Sequence, residues 1–306
     1  MSTKYQLVTK YTDNQANETI NAKISDSPIT SESMIEPDRI DNFRRLLKYG
    51  AGRLPGVVVI LTVLFLYIPV LVVAYLSVSP SGQPTIPIEE FSLQWYIDVL
   101  TDQRFLRALM TSIGLGVFSA IGGTILGLAG AYSLTWSDLS RPIQQAIGVI
   151  ISLPLFVPTV VLAFGIGVTA GHIGIGFGLV PVAVGHLFWV LPFTTFLIAA
   201  RYAELDIQLQ AAARDLGATE WTVFRTVTLP LLRPAIIASA LFAFALSFNE
   251  FLITFFLAGS GITTVPLEIF GKVRVGAVAF LNAASVLVLA VSAVLAGVAS
   301  TFRRPI

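Results

Sequence analysis

Residues 209–234 read LQAAARDLGATEWTVFRTVTLPLLRP, a charged, helix-forming segment between two apolar runs. Each neighbouring run is long enough to cross a ~30 Å hydrocarbon core as helix. The segment's place between them makes this an all-α polytopic membrane chain that presents a polar surface between two spans. Composition agrees: 306 residues, 55% hydrophobic, 12% charged, mean hydropathy +0.80. Soluble domains carry about 25% charged residues, so a water-soluble fold of this length is excluded. Zero cysteines exclude a disulfide framework and thiolate metal sites.

Working outward, six apolar runs are predicted as transmembrane helices, at about 55–79, 107–135, 143–170, 178–200, 235–258 and 278–301. Alternating ten-residue segments with turn punctuation do not occur, which argues against a barrel. Three regions follow: a polar tail at 1–50, the first span with an external loop at 51–104, and a core at 105–306 carrying the polar loop at about 201–234. Residues 1–37 read as a disordered tail without the pattern of a secretory signal. Over 38–49, Ile40, Phe43, Leu46 and Leu47 share a helical face beside Arg44, Arg45 and Lys48. That face suits either a short helix on anionic membrane lipid or a plain basic anchor before the first span.

Lysines and arginines set the orientation. With the N-terminus inside, fifteen lie on the inner side and four on the outer: Arg104, Arg107, Lys272 and Arg274. Positive charge accumulates on the cytoplasmic face, so both termini and the 201–234 segment are expected there. Ser119, Gly123, Gly127 and Ala131 recur every fourth residue, a stripe for close helix packing, with a pore-lining face as the alternative. Pro154, Pro158 and Pro192 lie inside apolar runs, where each removes a backbone donor and bends or breaks its helix. GHIGIGFG at 171–178 follows no strand, and reads as a tight external turn rather than a phosphate loop.

Within the polar segment, Ala211 to Leu216 favour helix and Gly217 suits a left-handed cap. Thr219 is placed to cap a second short helix through Glu220, Trp221 and Phe224 before Leu229-Pro230 leads into the fifth span. Helix, glycine turn and helix make a knob with charges and aromatic rings, suited to a cleft on a partner; an amphipathic connector on the membrane surface is the plainer alternative.

The spacing Ala212-Ala213-x3-Gly217-x9-Val227-x-Leu229-Pro230 resembles the EAA loop of permease subunits of ABC importers, E-A-A-x3-G-x9-I-x-L-P. His186 to Phe193 is similar to the span preceding that loop. Ser247-Phe248-Asn249-Glu250-Phe251, Thr263 to Pro266, and Leu153 to Pro158 resemble the spermidine/putrescine branch. The likeness covers about 105–300. Ala211 stands where the motif has its acid, Asn249 where the branch has Asp, and Thr159 where it commonly has an acid.

The resemblance implies a type I importer permease fold and a subunit that translocates a small solute, a polyamine or related amine first. Aminophosphonate, opine, thiamine and ferric ion are alternative cargoes. It implies a prokaryotic inner-membrane location, a second permease subunit, an ATPase dimer and an external binding protein as partners, and no nucleic acid. Ala212, Ala213, Arg214, Asp215, Gly217, Glu220, Trp221, Phe224 and Pro230 are the expected ATPase-coupling residues. Glu250, Asn249, Phe248, Phe251, Trp189 and Thr159 are the expected substrate pathway. Glu250 lies about 15 residues into its span, roughly 22 Å deep at 1.5 Å per residue. A charge at membrane depth costs about 2.5–3.5 kcal/mol on insertion scales, so it faces a partner, water or substrate. A cationic amine pairs with it, and Phe248, Phe251 and Trp189 offer cation–π contacts. The competing reading of Glu250 is a structural pair with a neighbouring subunit.

No G-x4-G-K-[ST] loop occurs, since Gly271-Lys272 is followed by Val273. The chain is therefore expected to be no enzyme, to bind no cofactor or metal, and to depend on ATP and Mg handled by a partner. His172 and His186 are read as packed, not as metal ligands. An ion-coupled secondary transporter would need inverted repeats and several buried ionisable groups; a non-transporting scaffold would use the knob as a docking site alone.

Overall fold

The computed structural model describes residues 37–135 and 139–301, with side chains described over 55–135, 139–206 and 208–293. Expectations for the tail before Pro37, for the side chains of 38–49 and for Arg303 and Arg304 lie outside the described residues. Two units are present, Met1–Ile68 and Pro69–Ile306. The first contains most of α1 (Pro37–Leu76), one continuous 40-residue helix. Residues 38–49, read either as a surface helix or as a basic anchor before the first span, are the start of α1 and run into the span as one helix.

All other elements belong to the second unit. They are α2 (Gln94–Thr101), α3 (Gln103–Thr135), α4 (Arg141–Phe156), α5 (Thr159–His172), α6 (Leu179–Ala203), α7 (Ile207–Asp215) and α8 (Glu220–Val223). A π-turn (Phe224–Thr228) then leads into α9 (Leu229–Phe248), followed by α10 (Leu252–Leu257), α11 (Val265–Arg274) and α12 (Val278–Thr301). Among the described residues, four helical stretches are long and apolar enough to cross a membrane: Pro55–Leu76, Gln103–Thr135, Leu179–Ala203 and Glu220–Phe248. The pair α4 and α5 makes a fifth if taken as one bent span. The apolar part of α12 described with side chains, Val278–Ala293, is shorter.

Two expected spans are not continuous. The run at 143–170 breaks at Val157-Pro158, where α4 and α5 meet at 107°. Pro154 and Pro158 are four residues apart, so the carbonyls of Ile150 and Pro154 lose their donors one above the other on a single face. Val157 adopts the extended backbone (φ −88, ψ 128) that a following proline favours. Pro192 stands alone, and α6 runs through it. The run at 235–258 breaks at Asn249 to Phe251, where polar side chains take over the helix ends. Asn249 Nδ2 donates to Ala245 O (2.8 Å) and Glu250 Oε1 accepts the Ile253 N–H (2.8 Å). Neither α2 nor α11 was expected; both lie in segments read as external loop.

The core of the second unit is α3, α6 and α9. The small-residue stripe of α3 makes the close approach possible: a Cβ at Gly127 would lie 2.5 Å from Thr194 Oγ1 and 2.9 Å from the Thr194 carbonyl carbon. Thr194 Oγ1 donates to Gly123 O at 2.8 Å, a bond across the seam. Gly123 meets Val190 and Gly130 meets Thr195, so α3 and α6 run parallel. Leu232 packs with Ala131, Ile198 and Tyr202, whereas Phe244 abuts Gly116, so α9 runs antiparallel to both. The segments 77–102, 172–178 and 259–276 therefore gather at one end, and 204–228 at the other.

At the first end the turn at 171–178 forms as expected, with Gly178 N–H donating to Leu257 O (2.8 Å). There, too, Lys272 Nζ donates to Asp102 Oδ2 at 2.6 Å, tying α11 to the α2–α3 corner. Burial raises the Asp102 pKa, but Lys272 and the N–H groups of Phe105 and Arg104 outweigh it and leave the carboxyl below its ordinary 3.8.

Candidate functional site

The polar segment folds into an elbow at the second end of the bundle. Asp206 Oδ1 accepts the Gln208 N–H (2.9 Å) and starts α7. The helix stops at Gly217, whose φ of +84° is the left-handed conformation that glycine takes without a Cβ penalty. Ala218 N–H donates to Ala213 O (3.1 Å) and Gly217 N–H to Arg214 O (2.8 Å), a Schellman closure. Thr219 then caps α8 by accepting the Thr222 N–H (3.3 Å).

Across the turn, Arg214 grips Glu220 with two bonds, Nε to Oε1 at 2.5 Å and Nη2 to Oε2 at 2.9 Å. The guanidinium holds the Glu220 carboxyl below its ordinary range. These two charges thus pair with each other and brace the elbow. Beside this pair the elbow exposes large apolar groups: Leu216 is 90% exposed, and Trp221, 68% exposed, stacks on Phe224 at 5.7 Å. Ala211, Ala212 and Asp215 are exposed, whereas Gln210 and Val223 are buried anchors. Leu216 was absent from the sequence-derived site. Its signal was present in the pattern, a large apolar residue just before the cap glycine.

The second short helix is not separated from the fifth span. α8, the π-turn and α9 form one 29-residue stretch, Glu220–Phe248. Pro230 and Pro234 again stand four apart, but here the helix runs on, with a π-turn before Pro230 in which Leu229 N–H reaches back to Phe224 O. Pro230 is therefore a helix residue, and the knob is the end of the span.

Near the opposite end, the break after α9 opens on a cleft of about 370 Å³. Phe248, Asn249 and Phe251 line it together with Ile269, Phe270 and Val273 of α11. Its rings are clustered: Phe251 lies 5.0 Å from Phe270, and Phe255 lies 5.4 Å from Phe251. The Arg274 guanidinium lies 5.7 Å from the Phe270 centroid, so this ring already faces a cation. Glu250 lies in the break, 9% exposed, with Oε1 engaged on Ile253.

The other two expected pathway residues are elsewhere. Trp189 packs edge-on to Phe193 and against the cluster around Ile253 and Leu257, and Thr159 is the first residue of α5. A larger cavity of about 400 Å³, between α5 and α6, is lined by Val161, Ile166, Val184, Phe188 and other apolar groups. Its one hydroxyl, Thr169, donates to Gly165 O (2.8 Å). It offers a solute no orienting group, so the smaller cleft is the better candidate. Among the described residues, no group of three or more His, Asp or Glu side chains gathers to hold a metal.

An apolar helical bundle with a braced polar elbow between two spans is the architecture of a multi-pass membrane component. Residues 123–303 match the family of binding-protein-dependent transport system inner membrane components, and the chain belongs to it. It is 32% identical over 244 residues to the putrescine transport system permease protein PotI of Escherichia coli K12, covering 76% of this chain and 84% of that one. It is 28% identical to the spermidine/putrescine transport system permease protein PotC of the same strain, covering 76% and 86%. Its fold is similar to that of a bacterial ABC transporter of alginate, with TM-score 0.66 at 16% identity, covering 85% of this chain and 98% of that one. The protein is an ABC importer permease subunit, the membrane component rather than a catalytic one.

Proposed function

We propose that this permease carries a polyamine such as putrescine or spermidine inward across a prokaryotic inner membrane. The observation that carries the reading is the 32% identity to a putrescine permease over three-quarters of the chain. The cleft chemistry supports it. Phe248, Phe251 and Phe270 offer ring faces to an ammonium group, Asn249 offers an amide oxygen, and Glu250 stands behind them as the buried counter-charge. An external binding protein delivers the cargo, a second permease completes the pathway, and an ATPase dimer hydrolyses ATP with Mg outside this chain. Both termini, the tail at 1–50 and the elbow are cytoplasmic in this reading.

The elbow carries the drive. Leu216, Trp221 and Phe224 seat in a cleft of the ATPase, with Ala212, Ala213, Asp215 and Gly217 at the contact and the Arg214–Glu220 pair bracing it. Because Glu220–Phe248 is one helical stretch of about 43 Å at 1.5 Å per residue, displacement at Trp221 is passed through the π-turn and α9 to Phe248 and the cleft. Closure of the ATPase dimer thereby alters the pathway.

The test is uptake of radiolabelled putrescine by cells expressing the full transporter with its ATPase and binding protein. ATP-dependent uptake, competed by spermidine, is expected. A second reading comes from 26% identity to a putative 2-aminoethylphosphonate permease of Salmonella paratyphi A. Uptake of 2-aminoethylphosphonate without uptake of putrescine would replace the first reading by the second.

A further inference from the structure

Asn249 and Phe251, which line the cleft, lie in a stretch, 249–251, that is not helical. Irregular backbone within a membrane protein persists only where other groups take over its hydrogen bonding. Asn249 and Glu250 do so locally. A side-chain link is added from outside the span: His186 of α6 is fully buried, with Nδ1 2.7 Å from Ser247 Oγ and Nε2 3.1 Å from Thr254 Oγ1. Ser247 is in the last turn of α9 and Thr254 in α10, so one imidazole joins both sides of the break.

This geometry depends on the break. In an unbroken helix, residues seven apart are displaced by about 10.5 Å along the axis, too far for the two nitrogens of a single ring. The neutral imidazole has one donor and one acceptor, and each hydroxyl can play either part, so all three groups are satisfied. The approach is prepared by Gly185: a Cβ there would lie 2.5 Å from Ile253 Cγ2. Any larger residue at 185 would push α6 off α10 and the ring out of reach of Thr254.

We propose that His186 is a positioning residue for transport, clamping the two ends of the broken fifth span so that Phe248, Asn249 and Phe251 are presented to the cleft. The proposal rests on reading that cleft as the cargo path. Its parts are a ring on a rigid core helix, one hydroxyl before the break and one after it. Packing alone would be served by an apolar side chain of the same volume; the hydroxyls on both sides are what an apolar side chain would leave unpaired.

This chain has no cysteine, so Asn249→Cys gives it one reporter thiol at the break, followed by label on this subunit's own band after reaction of the assembled transporter. Its labelling rate with a small charged methanethiosulfonate should change at least tenfold when His186→Leu is added. Ser247→Ala and Thr254→Val should each change it about threefold, and His186→Leu should add nothing to the pair. A Leu216→Cys reporter on the elbow should not respond. In chains without the reporter, the same variants should raise the apparent KM for putrescine at least fivefold with Vmax within twofold. Unaltered labelling in both His186→Leu and the Ser247/Thr254 pair would overturn the clamp. So would a loss confined to Vmax, the mark of a merely structural residue. If the wild type takes up no polyamine yet labelling responds as stated, the cargo reading fails and the clamp stands.

Discussion

Glu250 is asked to do two things with one carboxylate. Its Oε1 accepts the Ile253 N–H at the start of α10, which is a capping task, and in the proposed function its charge serves the cargo. Glutamine separates them, since its amide oxygen accepts the same N–H without the charge. Glu250→Gln should therefore leave the amount of assembled complex unchanged and cut putrescine uptake about tenfold or more, as measured in whole cells. Normal uptake would reduce Glu250 to its cap. Asp102 is a simpler case. Its folded pKa lies below 3.8 because Lys272 and two backbone N–H groups outweigh burial, so the ionised carboxyl binds its partners more tightly than the protonated one. The stabilisation is present above the unfolded value and is lost as pH falls through the folded one. Replacing it by asparagine should cost about 1.5–3 kcal/mol, the range for a hydrogen bond to a charged group. In detergent, the gap in Tm between wild type and Asp102→Asn should be constant near neutrality and close below about pH 4.

Among the elements, the elbow was the most legible from sequence. The alanines, Gly217 and Thr219 perform the local tasks that their chemistry dictates, namely helix, left-handed cap and N-cap. Side-chain partners were less legible. Arg214 and Glu220 read as partner contacts, but they lie six residues apart across a turn, a proximity that only the turn creates. The prolines show the same limit. Each removes a donor, yet the helix breaks at Pro158, follows a π-turn at Pro230 and persists through Pro192, outcomes that the residue type alone does not decide. The six-residue α10 was hidden inside a uniform apolar run, because its start depends on the Glu250 side chain and not on any change in hydrophobicity. For the elbow the expectation is direct. Trp221→Ala removes a large exposed ring stacked on Phe224, and a central aromatic at an interface is worth about 2 kcal/mol or more. ATPase binding to reconstituted permease should weaken about 30-fold, with the elbow itself intact. Gly217→Val forces a β-branched residue to φ +84° and should instead abolish stimulation of ATPase activity by loaded binding protein. Unchanged stimulation in that variant would detach the elbow from the drive.

At the scale of the molecule, transport requires some elements to move and others to serve as the frame. The α3–α6 seam has the marks of a frame. Small residues bring the backbones together, Thr194 bonds across to Gly123 O, and no space remains for a side chain at Gly127. Packed interfaces of this kind are not continuously deformable. The elements around the cleft differ: α10 is held to α6 and α9 through His186, whereas α11 meets the start of α3 through the Lys272–Asp102 pair and the Val265 N–H bond to Ser112 Oγ (2.8 Å). Motion is expected in α11 and in the α8–α9 stretch relative to the α3–α6 seam. The chain's lack of cysteine makes the division testable. A Cβ at position 123 would lie 3.8 Å from that of Val190, the mean spacing in disulfides, and replacing Val190 also removes the methyl that crowds it. Gly123→Cys with Val190→Cys should oxidise within the complex, raise Tm, and leave putrescine uptake within about twofold of wild type. A cross-linked complex that loses uptake and regains it with reductant would mean that α3 slides on α6, and the frame would have to be sought elsewhere in the bundle.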